Sequence, residues 1–322
     1  MTVGLKLLVA FAAAALAVSL AGPASAKSKR GTPNPPAPEQ STQMPSTSAP
    51  RQFFAAKGVQ PLTPEIEQAL RPKDSFKECD ACPEMVVVPK GSFIMGTPIT
   101  EVDRYKGEDP LHRVSFARPF AVGRFTISFD EWDACLADGG CNGDKGDDKF
   151  GRGRMPAQGI SFDAAKSYLA WLSRKVGRTY RLPSESEREY FTRAGTTTPF
   201  WFGKTISSQN ANYAAGTPYA NGPRGVDSKG PVVVDSYAPN PFGLYQVHGN
   251  VWEWTEDCFN KRYTEDTPTD GAPWLEGDCT KHMVRGGLWN WSADKSRSGY
   301  RDDNYFGSGN SFRVVRTLNV QQ

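Results

Sequence analysis

Histidine is nearly absent from this chain: His112, His248 and His282 are the only three among 322 residues. Cysteine ends at Cys279, so no thiol follows it. Excess charge is also missing, since 38 Lys and Arg against 35 Asp and Glu leave a formal +3. Without a basic stripe between the aromatics there is no electrostatic case for nucleic acid. The sequence has no Gly-rich phosphate loop, no G-x-S-x-G elbow and no HExxH helix. Those absences exclude the P-loop, α/β-hydrolase and zincin chemistries that depend on them. Long apolar runs are lacking except at the start, where Leu7 to Ala21 is apolar apart from Ser19. That run is shorter than the roughly 20 residues a spanning helix needs.

The N-terminal run reads as an export signal. Lys6 supplies a short positive region and Ala24-Ser25-Ala26 fits an A-x-A cleavage site. Residues 1–26 are therefore expected to be a signal peptide, with an uncleaved anchor as the alternative. Cleavage removes only Lys6, taking the charge from +3 to +2, and leaves no transmembrane span. Residues 27–52 are mostly Pro, Ser, Thr and Gln; such a segment buries too little apolar surface to offset ordering entropy and reads as a disordered linker. Residues 53–83 form a lead-in with a short helix at Thr63 to Leu70. Residues 84–320 read as one large domain, because no second linker interrupts them.

The six cysteines fall into three sequence-local pairs, Cys79 with Cys82, Cys135 with Cys141, and Cys258 with Cys279. Six cysteines allow fifteen connectivities, and local pairing is the simplest. On a loop-entropy model the second and third bridges contribute roughly 2.4 and 3.4 kcal/mol. For Cys79-Asp-Ala-Cys82 a redox or zinc dithiol is the alternative, but no second CxxC or His-rich segment completes a zinc site. An even set of bridges agrees with a periplasmic or extracellular address.

Periodicity predicts strands at Met85 to Pro89, Gly91 to Gly96, Arg113 to Phe116 and Pro119 to Arg124. A helix starts at Ser128, whose hydroxyl and Glu131 form a capping box. The clearest helix is Ser161 to Val176, where Phe162, Ala165, Leu169, Leu172 and Val176 recur at spacings of three and four. Ser161 caps it and Gly177 stops it. Ser184 and Glu187 open the next helix and Gly195 closes it. Residues 196–250 keep no sustained period, and Gly249-Asn-Val-Trp-Glu-Trp254 reads as irregular backbone. The acidic loop of Asp144, Asp147 and Asp148 lacks the glutamate of an EF-hand.

Six blocks in order carry a family resemblance. They are Met85-Val-Val-Val-Pro-Lys-Gly-Ser-Phe-Ile-Met-Gly96, Met155-Pro-Ala-Gln-Gly-Ile-Ser161, Arg181 to Tyr190 with Arg193-Ala-Gly195, Gly249 to Trp254, Arg285-Gly-Gly-Leu-Trp-Asn290, and Phe312-Arg-Val-Val-Arg316. Over residues 84–318 the chain resembles the formylglycine-generating enzyme, or sulfatase-modifying factor, domain family. The resemblance implies a C-type-lectin-like α+β fold with short antiparallel strands, two main helices and much irregular chain. It also implies structural calcium, held by Gln246, the carbonyls of Gly249 and Val251, and the Glu253 carboxylate. Gln246 stands where better-known members have asparagine or aspartate. Pairing of Glu253 with Arg285 or Arg313 is the alternative. A weaker second set comprises Asn212, the Tyr213 carbonyl and ligands near Asp227.

The family reaction oxidises a substrate cysteine with copper(I) held by two cysteines, and soft thiolates are what copper(I) requires. The resemblance places Trp291 and Ser296 at those positions, so neither copper nor formylglycine generation is expected. A second branch of the superfamily, resembling ergothioneine-type sulfoxide synthases, uses iron on several histidines in an added helical domain. Here only His248 and His282 could meet, and iron is not expected. The family's peptide groove implies that Trp289, Trp291, Arg297 and Arg301, among mixed charges at Asp294, Lys295, Asp302 and Asp303, line a ligand site; a solvated surface loop is the alternative. The leading expectation is an exported, calcium-stabilised binding or maturation module for a peptide, glycan or protein partner. The other is a metal-dependent oxidoreductase of the same superfamily.

Overall fold

The computed structural model describes residues 49–141, 144–303 and 309–320. The expected signal peptide, and the expected linker up to residue 48, lie outside them. The chain opens with β1 (Gln52–Phe54), α1 (Pro64–Gln68), β2 (Ser75–Lys77), β3 (Met85–Val88) and β4 (Gly91–Met95). Then come β5 (His112–Phe116), β6 (Phe120–Gly123), α2 (Phe129–Ala137), α3 (Phe162–Val176), β7 (Tyr180–Arg181) and α4 (Glu185–Arg193). The last elements are β8 (Trp252–Phe259), β9 (Asp278–Arg285), β10 (Asn310–Phe312) and β11 (Val315–Arg316).

The helices form where side chains satisfy their first amides. Ser161 accepts from Ala164 N at the start of α3, and Gly177 ends it in the left-handed conformation at φ +69°. Ser128 with Glu131 and Ser184 with Glu187 complete the capping boxes of α2 and α4. Gly195 is not the first left-handed residue after α4: Ala194 turns the chain at φ +45° and Gly195 follows.

Six strands form the main sheet in the order β1-β2-β3-β6-β11-β7. The lead-in is thus part of the sheet, with β1 and β2 at its edge. Strand β3 shows why its sequence is a continuous apolar run. Met85 and Val87 face the core against α2 and α3, with Trp132, Tyr168 and Leu172, while Val86 and Val88 face a second core containing Tyr190 and Phe191 of α4. A strand buried on both faces loses its polar alternation. Strands β4 and β5 make a separate antiparallel pair, and β10-β8-β9 a third sheet. The pairings are antiparallel except β1 with β2 and β8 with β10, which are parallel.

The expectation of irregular backbone at residues 249–254 needs correction. Only its first part is irregular, with Gln246, Gly249 and Asn250 at positive φ; from Trp252 the chain is the eight-residue strand β8. Trp252, Glu253 and Trp254 are all buried, so the two-residue period carries no amphipathic signal. The three disulfides join the expected partners, Cys79–Cys82, Cys135–Cys141 and Cys258–Cys279.

Candidate functional site

Strand β8 buries Trp252 in the core and brings Trp254 to the wall of a cleft. Trp291 meets Trp252 edge to face at 5.5 Å between ring centroids. Trp289 packs against Phe150 and hydrogen-bonds through its amide to the Asn250 carbonyl at 3.1 Å. Ser296 is fully buried and its hydroxyl has no hydrogen-bond partner. A Cβ on Gly287 would lie 2.3 Å from that hydroxyl, and the residue holds φ +92°, so only glycine fits there. All six cysteines are bridged, leaving no free thiol.

His248 is structural. Its Nδ1–H donates to the Ser296 carbonyl at 2.7 Å, and its Nε2 accepts from the Trp201 amide at 3.1 Å. Burial drives its pKa down from 6.5 to about 3, so the ring is neutral. His282 lies elsewhere, stacked on Phe162 at 3.4 Å, and His112 packs edge-on to Tyr263. His248 has no nitrogen left for a metal, so the expected His248–His282 alternative lacks one of its ligands. Among the described residues no group of three or more His, Cys, Asp or Glu is placed to hold a metal ion.

Glu253 is 1 % exposed and enclosed by cations. Arg188 Nε donates to it at 2.8 Å, Arg313 Nη2 at 2.9 Å and the Thr126 hydroxyl at 2.5 Å. Burial alone would raise its pKa; Arg188, Arg313 and Thr126 outweigh that and hold it below the usual range. Of the two arginines named in advance, Arg313 pairs with Glu253, whereas Arg285 is its cross-strand neighbour and pairs with Glu185 and Glu189. Gln246 Oε1 accepts from Asn250 Nδ2 at 2.6 Å and its Nε2 donates to the Val233 carbonyl at 2.7 Å. The Gly249 carbonyl accepts from Val251 N at 3.0 Å. Three of the four expected ligands, Gln246, Gly249 and Glu253, thus already accept hydrogen bonds from within the protein. Arg188 and Thr126 were missed: an arginine inside a helix and a threonine more than a hundred residues away carry no local signal.

The residues of the second oxygen set are also held by hydrogen bonds of their own. Asn212 Nδ2 donates to the Gly230 carbonyl at 3.0 Å, and Asp227 Oδ1 accepts from the Gly216 amide at 2.5 Å.

Two expected groove residues are interior. Arg297 donates to Glu101 at 2.8 Å and to Glu108 at 2.6 Å. Arg301 donates to both Glu185 oxygens, at 2.8 and 2.6 Å, and stacks on Tyr263. Arginine forks are well matched to such pairing, and both residues are spent internally, although Arg301 also borders a cleft of about 270 Å³. A cleft of about 600 Å³ lies instead beside Trp254 and is lined by Asp144, Asp147, Phe162, His282 and Asp303 among others. Burial lowers the His282 pKa, and its Nδ1–H points to the Glu256 and Asp257 carbonyls at 3.3 and 3.2 Å. Its Nε2 is therefore the acceptor. Asp144 and Asp147 are ordered by accepting from the Gly146 and Lys149 amides at 2.9 and 3.1 Å.

These features define a disulfide-bridged, C-type-lectin-like α+β domain of the formylglycine-generating type. The chain belongs to the family described as Sulfatase-modifying factor enzyme 1-like domain, which matches residues 71–318. It is 33% identical over 132 residues to the formylglycine-generating enzyme of Mus musculus, covering 37% of this chain and 33% of that protein. It is 30% identical over 125 residues to the inactive Cα-formylglycine-generating enzyme 2 of Bos taurus, covering 38% of this chain and 39% of that protein. These aligned regions span between a third and two fifths of the curated relatives. Among solved structures it is similar to PvdO from Pseudomonas aeruginosa, with TM-score 0.68 and 40% identity over 77% of this chain and 99% of that one.

Proposed function

We propose that the protein is an exported binding or maturation module without formylglycine-generating activity, acting on a peptide, glycan or protein partner. One observation carries this reading: every cysteine in the chain is bridged, and the resemblance aligns Trp291 and Ser296, which offer no thiolate, with the family's copper-binding positions. Copper(I) has no soft ligand pair here. The three bridges support an oxidising compartment, and no helix among the described residues is long and apolar enough to cross a membrane. The cleft beside Trp254 is the binding surface in this reading. Its aromatic walls suit a ring or sugar face, its carboxylates suit donors, and His282 Nε2 accepts a hydrogen bond. Structural calcium belongs to the reading only at the Asn212, Tyr213 and Asp227 set.

The test uses purified mature protein with copper(I), oxygen and a cysteine-containing sulfatase peptide. The expected result is no oxygen uptake and no aldehyde on the peptide by mass spectrometry; formylglycine formation refutes the reading. For the cleft, peptide and glycan arrays are probed with wild type and with Asp147→Lys. A ligand retained by the wild type and lost by the variant supports the assignment, and a ligand bound equally by both moves the surface elsewhere.

A further inference from the structure

The geometry points to Arg188 and Arg313 as a built-in replacement for the metal ion at the Gln246–Glu253 loop, so that this site takes no calcium. Both guanidiniums are fully buried. Each is surrounded by oxygen, as a cation would be. Arg188 donates to Glu253, to the Val247 carbonyl at 3.1 Å and to the Thr192 hydroxyl. Arg313 donates to Glu253, to the Gly123 and Arg124 carbonyls at 2.8 and 2.9 Å, and to the Tyr245 carbonyl at 2.8 Å. Carbonyls on either side of Gln246 therefore already face positive charge.

The two arginines also do the mechanical work of an ion. Through Glu253 they join α4, the 245–247 loop, the turn after β6, and β8 beside its partner β10. A guanidinium does this with fixed directions, while calcium tolerates many. Charge decides against both together. One carboxylate faces two guanidiniums, leaving the cluster at +1; a calcium ion would raise it to +3 in a space closed to water. Thr126 completes the carboxylate's coordination, so no oxygen of Glu253 is left with an open side.

The experiment separates this site from the Asn212–Asp227 set. Crystals of the wild-type protein soaked in millimolar calcium are measured for anomalous density. No ion at Glu253 is expected, whatever is found near Asp227; an ion bonded to the Glu253 carboxylate overturns the inference. In solution, melting temperature is compared with calcium and with chelator, in an Asp227→Asn background that silences the other set. Indifference to calcium is expected there. In that background Arg188→Leu, which removes one guanidinium, frees the Val247 carbonyl and leaves Glu253 Oε2 only the longer contact from Arg313 Nε at 3.2 Å, is expected to gain several degrees from calcium. An Arg188→Leu protein that folds and ignores calcium overturns the claim that guanidinium and ion share one role. Should that variant not fold, the soaked wild-type crystal decides alone.

Discussion

Helices α3 and α4 both sit inside this domain, yet they are held there by opposite means. In α3 the buried residues are Ala164, Ala165, Tyr168, Leu169, Trp171, Leu172 and Val176, and its charges face outward. In α4 all nine residues are buried, including Glu185, Glu187, Arg188, Glu189 and Arg193. Each of these meets a partner: Glu185 has Arg301 and Arg285, Glu187 has Arg181, Arg188 has Glu253, and Glu189 has Arg193 and Arg285. An apolar face needs only something greasy to lie against. A buried charge needs one specific group at one distance, because desolvation goes uncompensated without it. The α3 side tolerates variation in its neighbours; the α4 side is conditional on them.

The largest effect should come from breaking that condition. Glu253→Ala leaves Arg188 and Arg313 buried without their carboxylate, and breaking such a cluster costs about 3–5 kcal/mol. Urea denaturation followed by tryptophan fluorescence measures it. A cost below about 1 kcal/mol would mean that water reaches the cluster and that α4 is no different in kind from a surface helix.

The same contrast explains what the sequence revealed. The limits of α3, its cap and its stop were legible because the 3.6-residue period, Ser161 and Gly177 are local signals. All three disulfides were legible for the same reason. The role of α4 was not: its capping box was visible, but the Glu185–Arg301 pair joins residues 116 positions apart. Arg297 and Arg301 were expected in the groove because the family resemblance placed them there, and no local signal showed that distant glutamates claim both side chains. Strand β8 was hidden because burial on both faces erased its alternation. The cleft beside Trp254 was missed because its lining comes from stretches far apart in sequence, the acidic loop, the start of α3, β8 and β9, which only the fold brings together.

On the α3 side, Leu172→Ala should cost about 2–5 kcal/mol through lost burial and a residual cavity. Its signature should differ from that of Glu253→Ala. The leucine variant's loss should be independent of pH between 5 and 8, and a neighbouring small-to-large change can recover part of it. The glutamate variant admits no such repair by volume. Comparing the two by denaturation across pH tests whether the cores are distinct.

His248 gives a smaller, graded effect. Its folded pKa lies at about 3 against 6.5 for the free ring. Below 6.5 the unfolded chain takes up a proton that the native state refuses, so stability falls as pH drops from 6.5 towards 3. The limiting slope is about 1.4 kcal/mol per pH unit, and the contribution is fully present above 6.5. His248→Asn should be less stable at neutral pH, having lost the bonds to Ser296 and Trp201, but its stability should fall less steeply between pH 6 and 4. Equal slopes in the two proteins would show that the buried ring protonates in place.

The smallest effect isolates burial from chemistry. Arg154 and Asp235 form an ion pair at 2.6 Å, shorter than the 2.8 Å between Arg188 and Glu253, but their side chains are 50% and 42% exposed. If distance governed strength, the outer pair would matter more. Solvent screening and the entropy of two exposed side chains argue the reverse, and such pairs contribute about 0–1 kcal/mol. Arg154→Ala should therefore shift the denaturation midpoint slightly, and by less still in high salt. The Arg188–Glu253 coupling, measured by a double-mutant cycle, should be several times larger and indifferent to salt. A coupling of similar size at both places would remove the distinction between α4 and the surface, because burial would then have added nothing that an exposed ion pair lacks.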